Sequence, residues 1–360
     1  MKKTPEVAID APAALEQLVQ RAEQAGASDI HLQMDGARAL VWFRLDGLLT
    51  SVEPLSEPLA ERVFGRIKFL ARLKTYQESL PQDGRIDRAD LNSKNDLRVA
   101  TYPTVTGEKI VLRLFVTSEA RRLDELEYPA ETVSAVRSAL RQNSGLILLT
   151  GPAGSGKTTT IYACLRELAE QGGRHIITVE DPVERIIPGV MQTEVNEARG
   201  LNFATAARHL LRQDPQVLVL GEIRDDETAQ LAIRAALTGH QVISTLHAGS
   251  CKGVFERLLV MCPDRYAAMS SAALVLNQRL IRRLCPKCGG NGCAGCLGTG
   301  YRGRIPVAEW VAVTESRRSE IRASGPESIK PARSMAEVVS ALRDQGLTND
   351  AEIARVFGSS

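Results

Sequence analysis

The segment from Gly151 to Thr158 reads GPAGSGKT and satisfies the pattern GxxxxGK[ST] at every fixed position. The chemistry this implies is phosphate binding. Gly151, Gly154 and Gly156 let successive backbone N–H groups turn inward around a polyphosphate, with Pro152, Ala153 and Ser155 completing the loop. A helix opening at its end, through Thr159 and on to residue 168, adds positive potential there. Lys157 would then bridge the β- and γ-phosphates of a nucleotide, and the Thr158 hydroxyl would ligate Mg²⁺. A plain Gly-rich turn is the alternative, but the apolar run 146–149 before the motif gives the strand that a phosphate loop needs.

Hydrolysing a bound triphosphate also needs acids at the ends of neighbouring strands, one for the metal and one for the attacking water. Two apolar runs end this way. Residues 176–179 lead into Glu180 and Asp181, and residues 217–220 lead into Gly221 and Glu222. Gly221 stands where an aspartate is common, so Glu222 is expected to do the metal-side work. Asp181-Pro182 also suits a turn, and Asp225 suits a helix cap at least as well as catalysis. His240 and His247 bracket a further strand, 241–244, with His247 at the end where open α/β sheets bind ligands. Arg85, Arg98, Arg113, Arg208, Arg212, Arg224 and Arg257 recur near predicted strand ends and turns, where guanidinium charge could serve phosphoryl transfer. Spacing alone does not choose among them.

A second chemistry lies in the cysteines. Of seven, Cys285, Cys288, Cys293 and Cys296 fall within twelve residues, in two consecutive copies of CxxCxGxG. Clustered thiols in a reducing compartment indicate metal rather than disulfides, and four thiolates could close a tetrahedral Zn²⁺ site. The alternative is a flexible Gly loop with redox-sensitive thiols. Cys164, Cys251 and Cys262 stand apart and read as small apolar fillers.

The elements that must position these groups follow from periodicity. Residues 1–27 carry Leu15, Leu18, Val19 and Ala22 at helical spacing; 29–32 and 40–45 then alternate as strands do, and Asp46-Gly47 after them is a hairpin signal. Helical spacing returns at 58–74. Asp83-Gly84 reads as a turn, and 97–102 and 109–116 as strands around Thr106-Gly107. This gives a small α+β domain over residues 1–117 and a polar linker over 118–128. Short apolar strands then alternate with helices over 129–284, the pattern of a parallel sheet flanked by helices. The metal-binding segment occupies 285–304, and a mostly helical polar tail 305–360.

The chain has 360 residues, 44% hydrophobic and 24% charged, with a formal net charge of +2. That composition excludes disorder as the dominant state. The near-neutral charge and the lack of interleaved basic and aromatic residues argue against nucleic acid as a partner. The first residues have no apolar core of a secretory signal, and no run approaches the ~18 residues that cross a bilayer. A cytoplasmic location is expected.

Taken together, the ordered motifs resemble those of the type II secretion and type IV pilus assembly ATPases, from about residue 27 to 315. The resemblance rests on the phosphate loop and on ASDIH at 27–31, FRLDG at 43–47, LPQDGR at 80–85, ITVEDPVE at 177–184, LRQDP at 211–215, GEIRD at 221–225, LTGH at 237–240, STLH at 244–247 and GYRGR at 300–304. It implies a RecA-like P-loop ATPase domain behind a small PAS-like α+β domain, working as a homo-hexamer on Mg-ATP to drive pilus or pseudopilus assembly. It implies an inner-membrane assembly platform as partner, with peripheral membrane association through it. A RecA-like nucleic-acid translocase is the competing reading. By resemblance, Glu180 and Asp181 match the family's aspartate box, Glu222 its Walker B acid, and His240 and His247 its histidine box. Arg98 and Arg113 match the arginines that the N-terminal domain presents to the nucleotide, and the four cysteines match the family's zinc segment. Two departures stand out: only Gly289 to Gly292 separate the two CxxC pairs, and only ~27 residues precede the first motif, where secretion members often carry a further docking domain.

Overall fold

A computed structural model describes residues 10–115 and 119–358. The chain divides into two compact units. The first holds the described residues up to Phe115 together with Arg282–Gly303, and the second holds Glu119–Ile281 and the residues from Arg304 onward.

The first unit opens with helix α1 (Ala11–Ala25). Asp10 caps it by accepting from the Ala13 N–H, and Gly26 ends it in a left-handed conformation. The buried stripe Leu15, Leu18, Val19 and Ala22 is the one the spacing predicts. Residues 1–9 of the expected helix lie outside the described residues. Strands β1 (Asp29–Asp35), β2 (Arg38–Leu45) and β3 (Leu48–Leu55) follow, then α2 (Leu59–Leu70), β4 (Gln82–Ile86), β5 (Asp96–Thr104) and β6 (Gly107–Phe115). The sheet order is β3-β2-β1-β6-β5-β4. Alternate residues Ile30, Leu32, Val41, Phe43, Leu97, Val99, Ile110 and Leu112 bury one face in a single core with α1 and α2. Asp46 and Gly47 make the β2–β3 hairpin turn, both at positive φ. Asp83-Gly84 does not turn. It lies inside β4, and glycine is required because a Cβ at 84 would sit 2.6 Å from the Ala71 carbonyl oxygen.

In the second unit, residues 119–128 are not free of the fold: Leu123, Leu126 and Tyr128 pack into its core. Then come α3 (Ala130–Leu140), β7 (Gly145–Thr150), α4 (Lys157–Gln171), β8 (Ile176–Glu180), β9 (Met191–Glu194), α5 (Phe203–Leu210), β10 (Val217–Leu220), α6 (Asp226–Leu237), β11 (Gln241–Thr245), α7 (Cys251–Met261) and α8 (Arg265–Ser271). Long strands β12 (Ala272–Leu284) and β13 (Tyr301–Ala312) precede α9 (Glu315–Ser324), α10 (Met335–Asp344) and α11 (Asp350–Phe357). The tail is therefore helical only after residue 312. Its start is an edge strand, a place where Pro306 is tolerated. The sheet order is β13-β12-β7-β11-β10-β8-β9, with every pair from β12 to β9 parallel. β7, β8, β10 and β11 are buried at every residue because helices cover both faces, which is why they read as unbroken apolar runs. Among the described residues no helix is long and apolar enough to cross a membrane.

Candidate functional site

Parallel pairing brings the C-terminal ends of β7, β8, β10 and β11 to one rim of the sheet. The loop after β7 is the phosphate motif. Gly151 (φ 140°) approaches β12 so closely that a Cβ would lie 2.3 Å from the Gln278 carbonyl oxygen. Gln278 also props the loop from below. Its Nε2 donates to the Ser155 carbonyl at 2.7 Å, while its Oε1 meets the Thr160 hydroxyl and the Tyr128 phenol. Lys157 reaches back to the carbonyls of Gly151 (2.9 Å) and Pro152 (3.0 Å). Burial holds its amine below the ordinary lysine range, against the pull of the Glu222 charge. Ser155 Oγ is buried without a hydrogen-bond partner among the described residues, and Thr158 and Thr159 stand exposed at the helix start. A positively poised helix end, a lysine and an unused buried hydroxyl form a cradle that suits a polyphosphate.

A cavity of about 190 Å³ adjoins this loop. Lys157, Thr158, Tyr162, Glu180, Asp181, Phe203, Glu222, Thr245 and His247 are among its lining residues. Glu180 ends β8 and is 7% exposed. Its carboxylate accepts from Tyr162, from Thr178 (2.5 Å) and from Gln192 (2.9 Å). Glu222 accepts from Arg224 and lies 3.5 Å from His247 Nε2, and Arg224 also reaches Asp181 at 3.4 Å. Glu180, Asp181, Glu222 and His247, all candidates from the sequence, thus line one cavity with Lys157 and Thr158. Two groups fall elsewhere. His240 immediately precedes β11 at the opposite rim, where its Nδ1 contacts the Ala235 carbonyl at 3.1 Å. Asp225 caps α6 by accepting from the Thr228 N–H at 2.7 Å. Sequence reasoning missed Tyr162, Thr178 and Gln192. Thr178 was the most visible of them, since two residues before Glu180 on a strand means the same face.

Arg98 and Arg113 belong to the first unit. Strand register sets Arg85 opposite Arg98, Arg98 opposite Arg113, Arg113 opposite Asp29 and Asp29 opposite Arg44, a transverse row on the face away from that unit's core. Asp29 anchors the row through Arg113 (2.9 Å) and Arg44 (3.3 Å). Burial alone would push its carboxyl up, but hydrogen bonds from Arg113 and Ser28 and the charges of Arg113 and Arg44 hold it below the usual range. Arg98 stays about half exposed, 3.8 Å from Asp83.

The four cysteines converge. Their Sγ atoms all lie within 4.8 Å of one another, with contacts of 4.0 Å (285–293), 3.9 Å (288–296) and 3.7 Å (293–296). A tetrahedron with Zn–S bonds of about 2.3 Å has edges of about 3.8 Å, so the thiols fit zinc. The glycines explain the short spacing. A Cβ at Gly300 would lie 2.3 Å from the Gly290 carbonyl oxygen, and one at Gly292 would lie 2.8 Å from that of Gly298. The glycines at matching places in the two repeats pack each knuckle on the other. Backbone N–H groups of Cys293 and Gly300 point at Cys296 Sγ. Burial would raise the Cys296 thiol, but these donors and the neighbouring thiols bring it down to about 6. The tip is tied to the rest of its unit by Asp46, which accepts from the Gly303 N–H at 2.9 Å. Cys164, Cys251 and Cys262 are buried singly.

A strand–loop–helix phosphate cradle, flanked by acids at the ends of adjacent parallel strands, defines a P-loop ATPase. The comparisons narrow this. Residues 9–356 match the model of the type II/IV secretion system protein family, and the chain belongs to that family. It is 39% identical over 353 residues to the HofB-homologue protein transport protein of Haemophilus influenzae, covering 96% of this chain and 73% of that one. It is 38% identical over 368 residues to the type II secretion system ATPase E of Vibrio cholerae, covering 93% and 73%. Among solved structures, the Legionella pneumophila ATPase DotB superposes with a TM-score of 0.76 at 21% identity, covering 97% of this chain and 96% of that one. The pilus retraction motor PilT with bound ADP superposes at 0.69 and 25% identity, covering 94% and 96%.

Proposed function

We propose that the chain is a cytoplasmic motor that hydrolyses Mg-ATP to drive pseudopilus or pilus assembly, acting as a homo-hexamer docked on an inner-membrane platform. One observation carries the chemical part: Lys157, Thr158, Glu180, Asp181, Glu222 and His247 line one cavity beside the phosphate loop. The secretion-family membership supports the motor role. On this reading the second unit is a RecA-like ATPase domain and the first a PAS-like one.

The roles follow from placement. The loop 151–156 and Lys157 hold the β- and γ-phosphates. Thr158, Asp181 and Glu222 would hold Mg²⁺, which neutralises charge on the phosphate oxygens when bound. Glu180 orients the attacking water, and the hydrogen bonds on its carboxylate fix its direction. His247 stands beside Glu222, where it can report the state of the γ-phosphate. By the family resemblance, Arg98 and Arg113 would carry guanidinium charge to a nucleotide. The cysteine cluster would hold a structural zinc, whose closed four-sulfur shell leaves no position for catalysis.

ATP turnover tests the assignment. Lys157→Ala should abolish it, and Glu222→Gln should lower kcat by about 100-fold while nucleotide still binds. Normal turnover in Glu222→Gln would overturn the role given to that acid. Sizing with and without a non-hydrolysable ATP analogue tests the hexamer.

A further inference from the structure

Two residues outside the motifs named above hold the Glu180 carboxylate and also grip the loop that follows it. Tyr162 donates its phenolic hydrogen to Glu180 Oε2 and accepts from the N–H groups of Glu184 (3.1 Å) and Arg185 (3.2 Å). Those three bonds use the full capacity of a phenol, one donor and two lone pairs. Gln192 donates to Glu180 Oε1 and to the Arg185 carbonyl, both at 2.9 Å, and accepts from the Ile187 N–H at 2.7 Å. Both amide hydrogens and the amide oxygen are engaged. Burial and the adjacent carboxylate push the Tyr162 phenol above its ordinary range, so it remains a donor. Tyr162, 5% exposed, lines both the acid's cavity and a smaller one that Thr159 and Arg185 also line.

We propose that Tyr162 and Gln192 are positioning residues for Glu180, and that through them the direction of the carboxylate is locked to the backbone of residues 183–187. Neither residue needs to touch the reacting atoms. Their effect is on the angle at which Glu180 meets water, and a displacement of about 1 Å at such a group can cost 100-fold in rate. The loop cannot shift without releasing donors from the acid, so its position and the hydrolytic state of the site change together. This inference rests on the role given to Glu180 above.

The test is steady-state ATP hydrolysis by the full chain, with ADP affinity measured alongside. Tyr162→Phe keeps the packed ring and removes only the hydroxyl. Gln192→Leu removes the amide. Each should lower kcat about tenfold or more while KM and ADP affinity stay within about twofold, the signature of lost transition-state geometry rather than lost binding. In a Glu180→Gln background either change should add less than about twofold, because the three side chains act as one unit. Unchanged kcat in both single variants overturns the proposal, as does a full multiplicative loss on top of Glu180→Gln. Should Tyr162→Phe lose ADP binding through misfolding, Gln192→Leu decides the matter. Full turnover in Glu180→Gln alone would overturn the role of Glu180 itself, a separate failure.

Discussion

Removing thiols from the cysteine cluster gives a sharp test of how the hairpin tip is held. Residues 285–300 bury no apolar side chain apart from Cys285 and Cys296, so the tip has almost no hydrophobic core of its own. Ordering its sixteen backbone positions costs on the order of 16 kcal/mol at about 1 kcal/mol each. A four-thiolate zinc site supplies about 10–16 kcal/mol, and the knuckle hydrogen bonds make up the balance. The expectation is one zinc per chain in the wild type and none in Cys285→Ser/Cys296→Ser, read by elemental analysis. Trypsin should then cut after the exposed Lys287 far faster in the double variant or in chelated protein. Gly300→Ala should act in the same direction with all four thiols intact, because its Cβ would meet the Gly290 carbonyl. Zinc absent from wild-type protein purified with added zinc would refute the reasoning. So would equal trypsin rates for wild type and double variant.

Two further predictions concern the first unit. The folded Asp29 carboxyl lies below its unfolded value, so its stabilisation is complete above the unfolded pKa of about 3.9 and is lost as pH falls through the folded one. Asp29→Asn should therefore be less stable than wild type at neutral pH by about 1.5–3 kcal/mol, the gap closing in acid, as measured by denaturant titration across pH. Lys68 and Glu108 form a buried pair at 3.1 Å, and Lys68 also holds the Gln77 carbonyl. Burial raises the Glu108 carboxyl despite its partner, so desolvation outweighs the attraction. Lys68→Met should cost about 3–5 kcal/mol by leaving a lone buried carboxylate, and Lys68→Met/Glu108→Leu should recover most of it.

Much of the site was legible in the sequence because its chemistry is local. The phosphate loop needs eight consecutive residues, and strand-end acids announce themselves by the apolar run before them. What was misread was local appearance overruled by packing. Asp83-Gly84 has turn chemistry, yet its glycine serves a strand that passes close under residues 71–73. The start of the tail, residues 305–312, is mostly apolar and belongs to an edge strand, unlike the polar helices that follow it. β12 went unnoticed because its second half loses the apolar run that marks a buried strand.

The sequence by itself determined the inventory of candidate groups: a phosphate loop, two strand-end acids, a histidine at a strand end, and four thiols in a repeat. These are short-range patterns, and each residue type has few other uses at that spacing. Only the tertiary structure decided which of these residues meet. Parallel strand order put Glu180, Glu222 and His247 on one rim with Lys157, and left His240 on the other. Contacts across more than ten residues brought Tyr162 and Gln192 onto Glu180, and packing between the two knuckles set glycines of one against the backbone of the other. Such pairings depend on which strands lie side by side, and no local pattern encodes that choice.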